Sequence, residues 1–167
     1  MDVIQEFLRN KSNNLSEFWG KREKDKYNTR IRYGDVEETH KFLNGTIIFN
    51  YPNTKEHKDI VEDSRSKISI AEKLWPKILK FILKTYDQKE YMGEYLREVF
   101  PNKNEFKKHM IPKRIELYRG INNSPKKYYG FKLEVGDKFT DEVSGGHIFY
   151  VVVDEKNRIE NEFHFEG

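Results

Sequence analysis

The side chains best placed to do chemistry cluster in the last third of this sequence. Glu160 and Glu162 stand two apart in a run whose odd positions, Ile159, Phe163 and Phe165, are apolar. A strand there places both carboxylates on one face together with His164. His147 and His164 sit on either side of a hairpin signal, Asp154-Glu155-Lys156-Asn157. If that hairpin brings them together, Glu162 completes a His–Glu group capable of acid–base work. The five histidines, His40, His57, His109, His147 and His164, show no spacing of the His-Glu-x-x-His kind, so no metal site is expected. Gly145-Gly146 lacks the Lys-Ser/Thr pair and following helix of a phosphate loop. No cysteine is present, which excludes a disulfide, a thiolate metal site and a Cys nucleophile.

Upstream, the run Pro112-Lys113-Arg114-Ile115-Glu116-Leu117-Tyr118-Arg119-Gly120-Ile121 resembles the segment that opens the catalytic core of arginine-type mono-ADP-ribosyltransferases. In that family a strand carrying Leu-Tyr-Arg-Gly supplies the Arg that holds NAD. A Gly-Asp turn then leads to a Ser-Thr-Ser strand, and a Glu-x-Glu pair closes the site. Leu133 to Phe139, with Gly136-Asp137 at its centre, is similar to the approach to the Ser motif, and Glu160-Asn161-Glu162 matches the Glu pair. The resemblance covers the last third of the chain. It implies NAD as cofactor, with Arg119 gripping its phosphates through the planar guanidinium fork. It also implies that Ser144 positions the nicotinamide ribose, Glu162 stabilises the developing oxocarbenium charge, and Glu160 assists the attacking group.

The elements that must position these residues follow from periodicity. Val3, Ile4, Phe7 and Leu8 predict a short amphipathic helix, and Ser16 caps a second one running through Phe18, Trp19 and Tyr27. Val36 to Leu43 is read as a further short helix ending at Asn44-Gly45. Thr46 to Tyr51, β-branched and aromatic, is a strand stopped by Pro52. A long helical stretch begins at Lys55. Pro76 is expected to kink or restart it, and Leu74 to Tyr86 carries the face on which a sheet packs. Helices over Lys89–Phe100 and Glu105–Met110 follow. Strands are expected at Ile115–Arg119, Tyr129–Val135, His147–Val153 and from Ile159 onward, with a weak stretch at Lys138–Val143 and a flexible Ser144–Gly146. The nearly continuous apolar run His147–Val153 is expected to lie centrally, covered on both faces. The resulting fold class is α+β in a single domain, 1–167. Residues 1–110 form a mainly helical portion packed against a C-terminal antiparallel meander, 111–167, of four to five strands.

Composition narrows the function classes. Hydrophobic residues make up 36% and charged residues 35%, but twelve Phe, ten Tyr and two Trp supply large side chains for a core. Net charge is only +3, so the basic excess of a nucleic-acid binder is missing. That class would need the basic residues of 21–32 and 103–114 on one face. Met1 to Glu6 lack the basic start and apolar run of a signal peptide, no run is long enough to span a bilayer, and a cytoplasmic protein is expected. Richness in Lys, Asn and Ile points to an AT-rich genome, bacterial or phage. Size and aromatic content favour a small protein-binding modulator, of inhibitor or immunity type, that needs no cofactor. Its expected contacts are the aromatics Trp19, Tyr128 and Tyr129. The competing enzyme reading has its own test. Labelled NAD incubated with whole-cell lysate should mark a target, and an Arg119→Ala, Glu162→Ala double variant should lose the label. No transfer from the folded protein removes both residues as catalytic groups.

Overall fold

The computed structural model describes residues 26–118 and 130–166. Its centre is one seven-stranded sheet whose strands lie side by side in chain order. The first three are β1 (Arg30–Arg32), β2 (Asp35–Phe42) and β3 (Gly45–Pro52). Four helices follow: α1 (Lys55–Asp59), α2 (Val61–Tyr86), α3 (Tyr91–Val99) and α4 (Lys103–His109). The chain then returns as β4 (Pro112–Tyr118), β5 (Gly130–Val135), α5 (Lys138–Val143), β6 (Ile148–Val153) and β7 (Ile159–Glu166). Every neighbouring pair is antiparallel except β3 and β4, which run parallel. A parallel pair cannot be closed by a tight turn, and the four helices provide the crossover.

This corrects the expected architecture. The sheet has seven strands rather than four or five, it spans both halves of the chain, and it is not wholly antiparallel. The error lies at Val36–Leu43, which was expected to be a helix. Val36, Glu38, His40 and Phe42 alternate onto one face of β2, with period two and not 3.6. The hairpin loop is Leu43-Asn44, with Leu43 at φ 52°, and Gly45 opens β3 opposite Phe42, so no helix ends here. The preceding turn carries Tyr33 and Gly34 at φ 51° and 80°. Two successive left-handed residues match the twist of the strands they join. β6 is also not central, since β4 holds that place, although Val151, Val152 and Val153 are all buried.

Other expectations stand. Thr46–Tyr51 lies within β3, and the strands at Gly130–Val135, Ile148–Val153 and Ile159–Glu166 form the expected hairpins. Pro76 is exposed inside α2 and does not divide it; the break comes earlier, at Ile60 between α1 and α2. Ile68, Ala71, Ile78 and Ile82 are buried on both sides of Pro76, so one continuous apolar stripe holds the helix to the sheet. Lys138–Val143 is a helix. The Asp137 carboxylate caps it, accepting the Thr140 N–H at 3.0 Å.

The described helices pack on one face of the sheet. Phe49, Ile115, Phe131, Leu133, Val151 and Val153 from the strands meet Ile78, Ile82, Leu96, Phe100 and Phe106 in the core. One carboxylate is sealed among them. Glu38 is 1% exposed. It receives the Arg65 guanidinium at 2.9 and 2.6 Å and the Tyr51 hydroxyl at 2.9 Å, and His40 Nε2 lies 2.9 Å away. Arg65 also pairs with Glu62 and lies 4.2 Å above the Tyr27 ring, while Tyr27 stacks on His40. Burial pushes the Glu38 carboxyl up, but the bonds from Arg65, His40 and Tyr51 outweigh it and hold the group at about 2. The bond to Glu38 raises the Arg65 value, and burial, followed by the Glu38 charge and bond, raises that of Tyr51.

A depressed carboxylate stabilises the fold above its ordinary value of 4.5, and the contribution fades as pH falls toward about 2. Stability should therefore decline across that window, by roughly 3 kcal/mol from Glu38 alone. Glu38→Gln should cost a similar amount, roughly 3 kcal/mol, at neutral pH and flatten the acid limb. Urea titrations at pH 7, 4 and 2.5 check both.

Candidate functional site

The face of the sheet opposite the helices carries the polar side chains of alternate positions. Strand register sets them in two rows. One runs Arg30, Glu37, Asn50, Glu116, Lys132 and Val152; the other runs Thr39, Ile48, Arg114, Glu134, Tyr150 and His164. Residues directly opposite on neighbouring strands are close enough to interact. Arg30 and Arg114 grip Glu37 from two sides, at 2.7 and 3.2 Å. Burial pushes the Glu37 carboxyl up, and these two guanidiniums more than reverse it, leaving the group below the ordinary carboxylate range. Arg114 also reaches Glu134, at 3.7 Å, which Lys113 approaches at 3.5 Å.

Toward β7 the rows become aromatic. Tyr150 stacks on His164 with centroids 4.7 Å apart and planes 8° from parallel, and the Lys132 ammonium lies 4.9 Å from the Tyr150 ring centre. The Tyr150 hydroxyl donates to Glu166 at 2.8 Å. Between these side chains lies a groove of about 200 Å³, lined by Arg114, Glu116, Lys132, Glu134, Ile148, Tyr150 and Glu166. Glu116 is exposed there with no hydrogen bond or ion pair among the described residues. Asn50 Oδ1 and His164 Nε2, also on this face, are buried with no hydrogen-bond partner among the described residues.

Of the candidates named from sequence, Ser144, Glu160 and Glu162 fall among the described residues. Trp19, Arg119, Tyr128 and Tyr129 lie outside the described residues. Ser144, 5% exposed, ends α5, and its hydroxyl lies 3.0 Å from the His147 carbonyl and 3.4 Å from that of Asp141. Its oxygen is thereby committed to holding a turn. Glu160 and Glu162 are exposed on β7. Ile148 pairs with Glu166 and Val153 with Ile159, so Ser144 sits at one end of the β6–β7 hairpin and the Glu pair near the other. The Val151 and Ile148 rungs alone are separated by roughly 10 Å. His147 packs on Phe165 while His164 stacks on Tyr150, so the two histidines do not meet; Glu162 reaches His164 at 4.0 Å.

No family model matches the chain, and neither a curated protein nor a solved structure matches it significantly. The site is therefore read from its own chemistry. Among the described residues no three His, Asp or Glu side chains converge as a metal centre requires. Of the basic residues described in 26–32 and 103–114, four are paired with carboxylates: Arg30 with Glu37, Lys103 with Asp87, Lys113 with Asp141, and Arg114 with Glu37 and Glu134. Sequence reasoning missed the groove because its residues come from four strands, two alternate positions each from β4–β6 and one from β7. The available signal was the alternation itself, Arg114-x-Glu116 against Lys132-x-Glu134.

Two substitutions separate fold from surface. Arg114→Ala leaves buried Glu37 with one cation and should cost about 1–2 kcal/mol. Glu116→Gln should leave the denaturation midpoint unchanged. Paired urea curves check the contrast.

Proposed function

We propose that this chain is a protein-binding modulator, of inhibitor or immunity type, that acts in the cytoplasm by occupying a macromolecular partner. The observation that carries this reading is the groove around Tyr150, on the sheet face opposite the described helices. The charges on that face are held in register by cross-strand partners, so little ordering is left to a binding event, and rigid polar surfaces bind at lower entropic cost. The groove's volume of about 200 Å³ falls below the roughly 300–1,000 Å³ of sites that enclose small molecules. It suits a side chain of a partner. Tyrosine and arginine, both present at the groove, are the residue types enriched at interface hot spots. Among the described residues no helix is long and apolar enough to cross a membrane.

The test is capture from native lysate with the immobilised protein, beside a Tyr150→Ala, Glu116→Lys variant that keeps the fold. A stoichiometric partner retained by the parent and lost by the variant is expected. Recovery of none, or equal recovery by both, counts against the reading.

A further inference from the structure

The two ends of the sheet differ. β1 is three residues long, whereas β7 extends over eight, Ile159 to Glu166. β7 pairs with β6 on one side only, and on its outer side no strand and no backbone hydrogen bond engages it among the described residues. A row of unpaired N–H and C=O groups of this length is a template for another strand. Its side chains restrict which strand. Glu160, Glu162 and Glu166 are exposed, and β7 contains no Lys or Arg. A second copy pairing through the same edge would set these carboxylates against one another, and like charges directly opposite are destabilising. A basic strand would find each of them complementary.

The other face of the edge is apolar. Phe163 is buried, and Phe165 lies between the Phe149 ring at 4.8 Å and the Tyr95 ring of α3 at 5.1 Å. We propose that the outer edge of β7 accepts one strand from a protein partner, and that this strand alternates Lys or Arg with apolar residues. The basic positions meet Glu160, Glu162 and Glu166 on the groove side, while the apolar positions extend the layer formed by Phe163, Phe165 and Tyr95. Backbone bonds would supply affinity and the alternation specificity, as in other strand additions. The inference rests on the reading of this chain as a protein binder, and names the chemistry of what it binds.

The test titrates the full chain into a fluorescein-labelled, amidated seven-residue peptide alternating lysine and valine, followed by anisotropy. Saturable binding is expected, with new hydrogen-exchange protection of β7 amides. A copy of the peptide N-methylated on its backbone, and one alternating glutamate and valine, should each bind at least about tenfold more weakly. A Glu160→Lys, Glu162→Lys variant should weaken the lysine peptide by about tenfold. No saturable binding overturns the proposal, as does binding indifferent to N-methylation or to charge reversal. A natural partner captured through the groove but unaffected by the β7 variant overturns the edge and leaves the broader reading intact. Strand addition of the peptide with no partner recovered from lysate does the reverse.

Discussion

The Glu38–Arg65 pair joins the two halves of this molecule. Glu38 is on the second strand and Arg65 on the first turns of the long helix, so the pair fastens the N-terminal hairpins to the helical layer. A carboxylate this deeply buried is tolerable only because nearly all its lone pairs are occupied. Tyr51, His40 and Arg65 are themselves placed by β3, β2 and α2, and each is held elsewhere by ring packing or a second bond. An apolar residue at position 38 would fill the space; the Arg65 pair acts together with buried Val36 and Phe42 in setting which strand face turns inward. Register matters here, since a one-residue slip in β2 would exchange Glu38 for Glu37.

That choice of face produces the surface opposite. Once Val36, Glu38, His40 and Phe42 point toward the helices, Asp35, Glu37, Thr39 and Lys41 face outward. The same alternation in β4, β5 and β6 turns out Arg114, Glu116, Lys132, Glu134 and Tyr150. None of the described helices lies on this side, and among the described residues the polar rows pair with one another across the strands. Glu37 illustrates the result: it is enclosed by two guanidiniums, and neither cation remains free for a distant ligand.

Much of the C-terminal half was legible in the sequence, because Gly130–Val135, Ile148–Val153 and Ile159–Glu166 carry β-branched or aromatic residues at strand spacing. The N-terminal half was not. In Asp35–Phe42 the position that alternation assigns to the core is held by Glu38, and a buried carboxylate erases the hydrophobic period a reader depends on. His40 blurs it again. The long helix was legible in extent but not in continuity, since a proline's local penalty is visible in sequence and the packing that overrides it is not. Of the residues named for NAD chemistry, Ser144 and Glu162 lie toward opposite ends of a hairpin, and Arg119 lies outside the described residues. The groove was hidden because its residues are distant in sequence and adjacent only through the pairing of four strands.

The lone parallel joint between β3 and β4 has a kinetic consequence. Each antiparallel neighbour is linked by a local turn or a short excursion, and hairpins of that kind close within microseconds. Ile48 meets Arg114 only after the entire helical crossover has been laid down, and such non-local contacts form slowly because loop entropy must be lost first. Two pre-formed meanders, each with an exposed inner edge at β3 or β4, would therefore coexist until the helices bring them together. The zipping of that seam is the step at which this chain is most open to joining the wrong sheet.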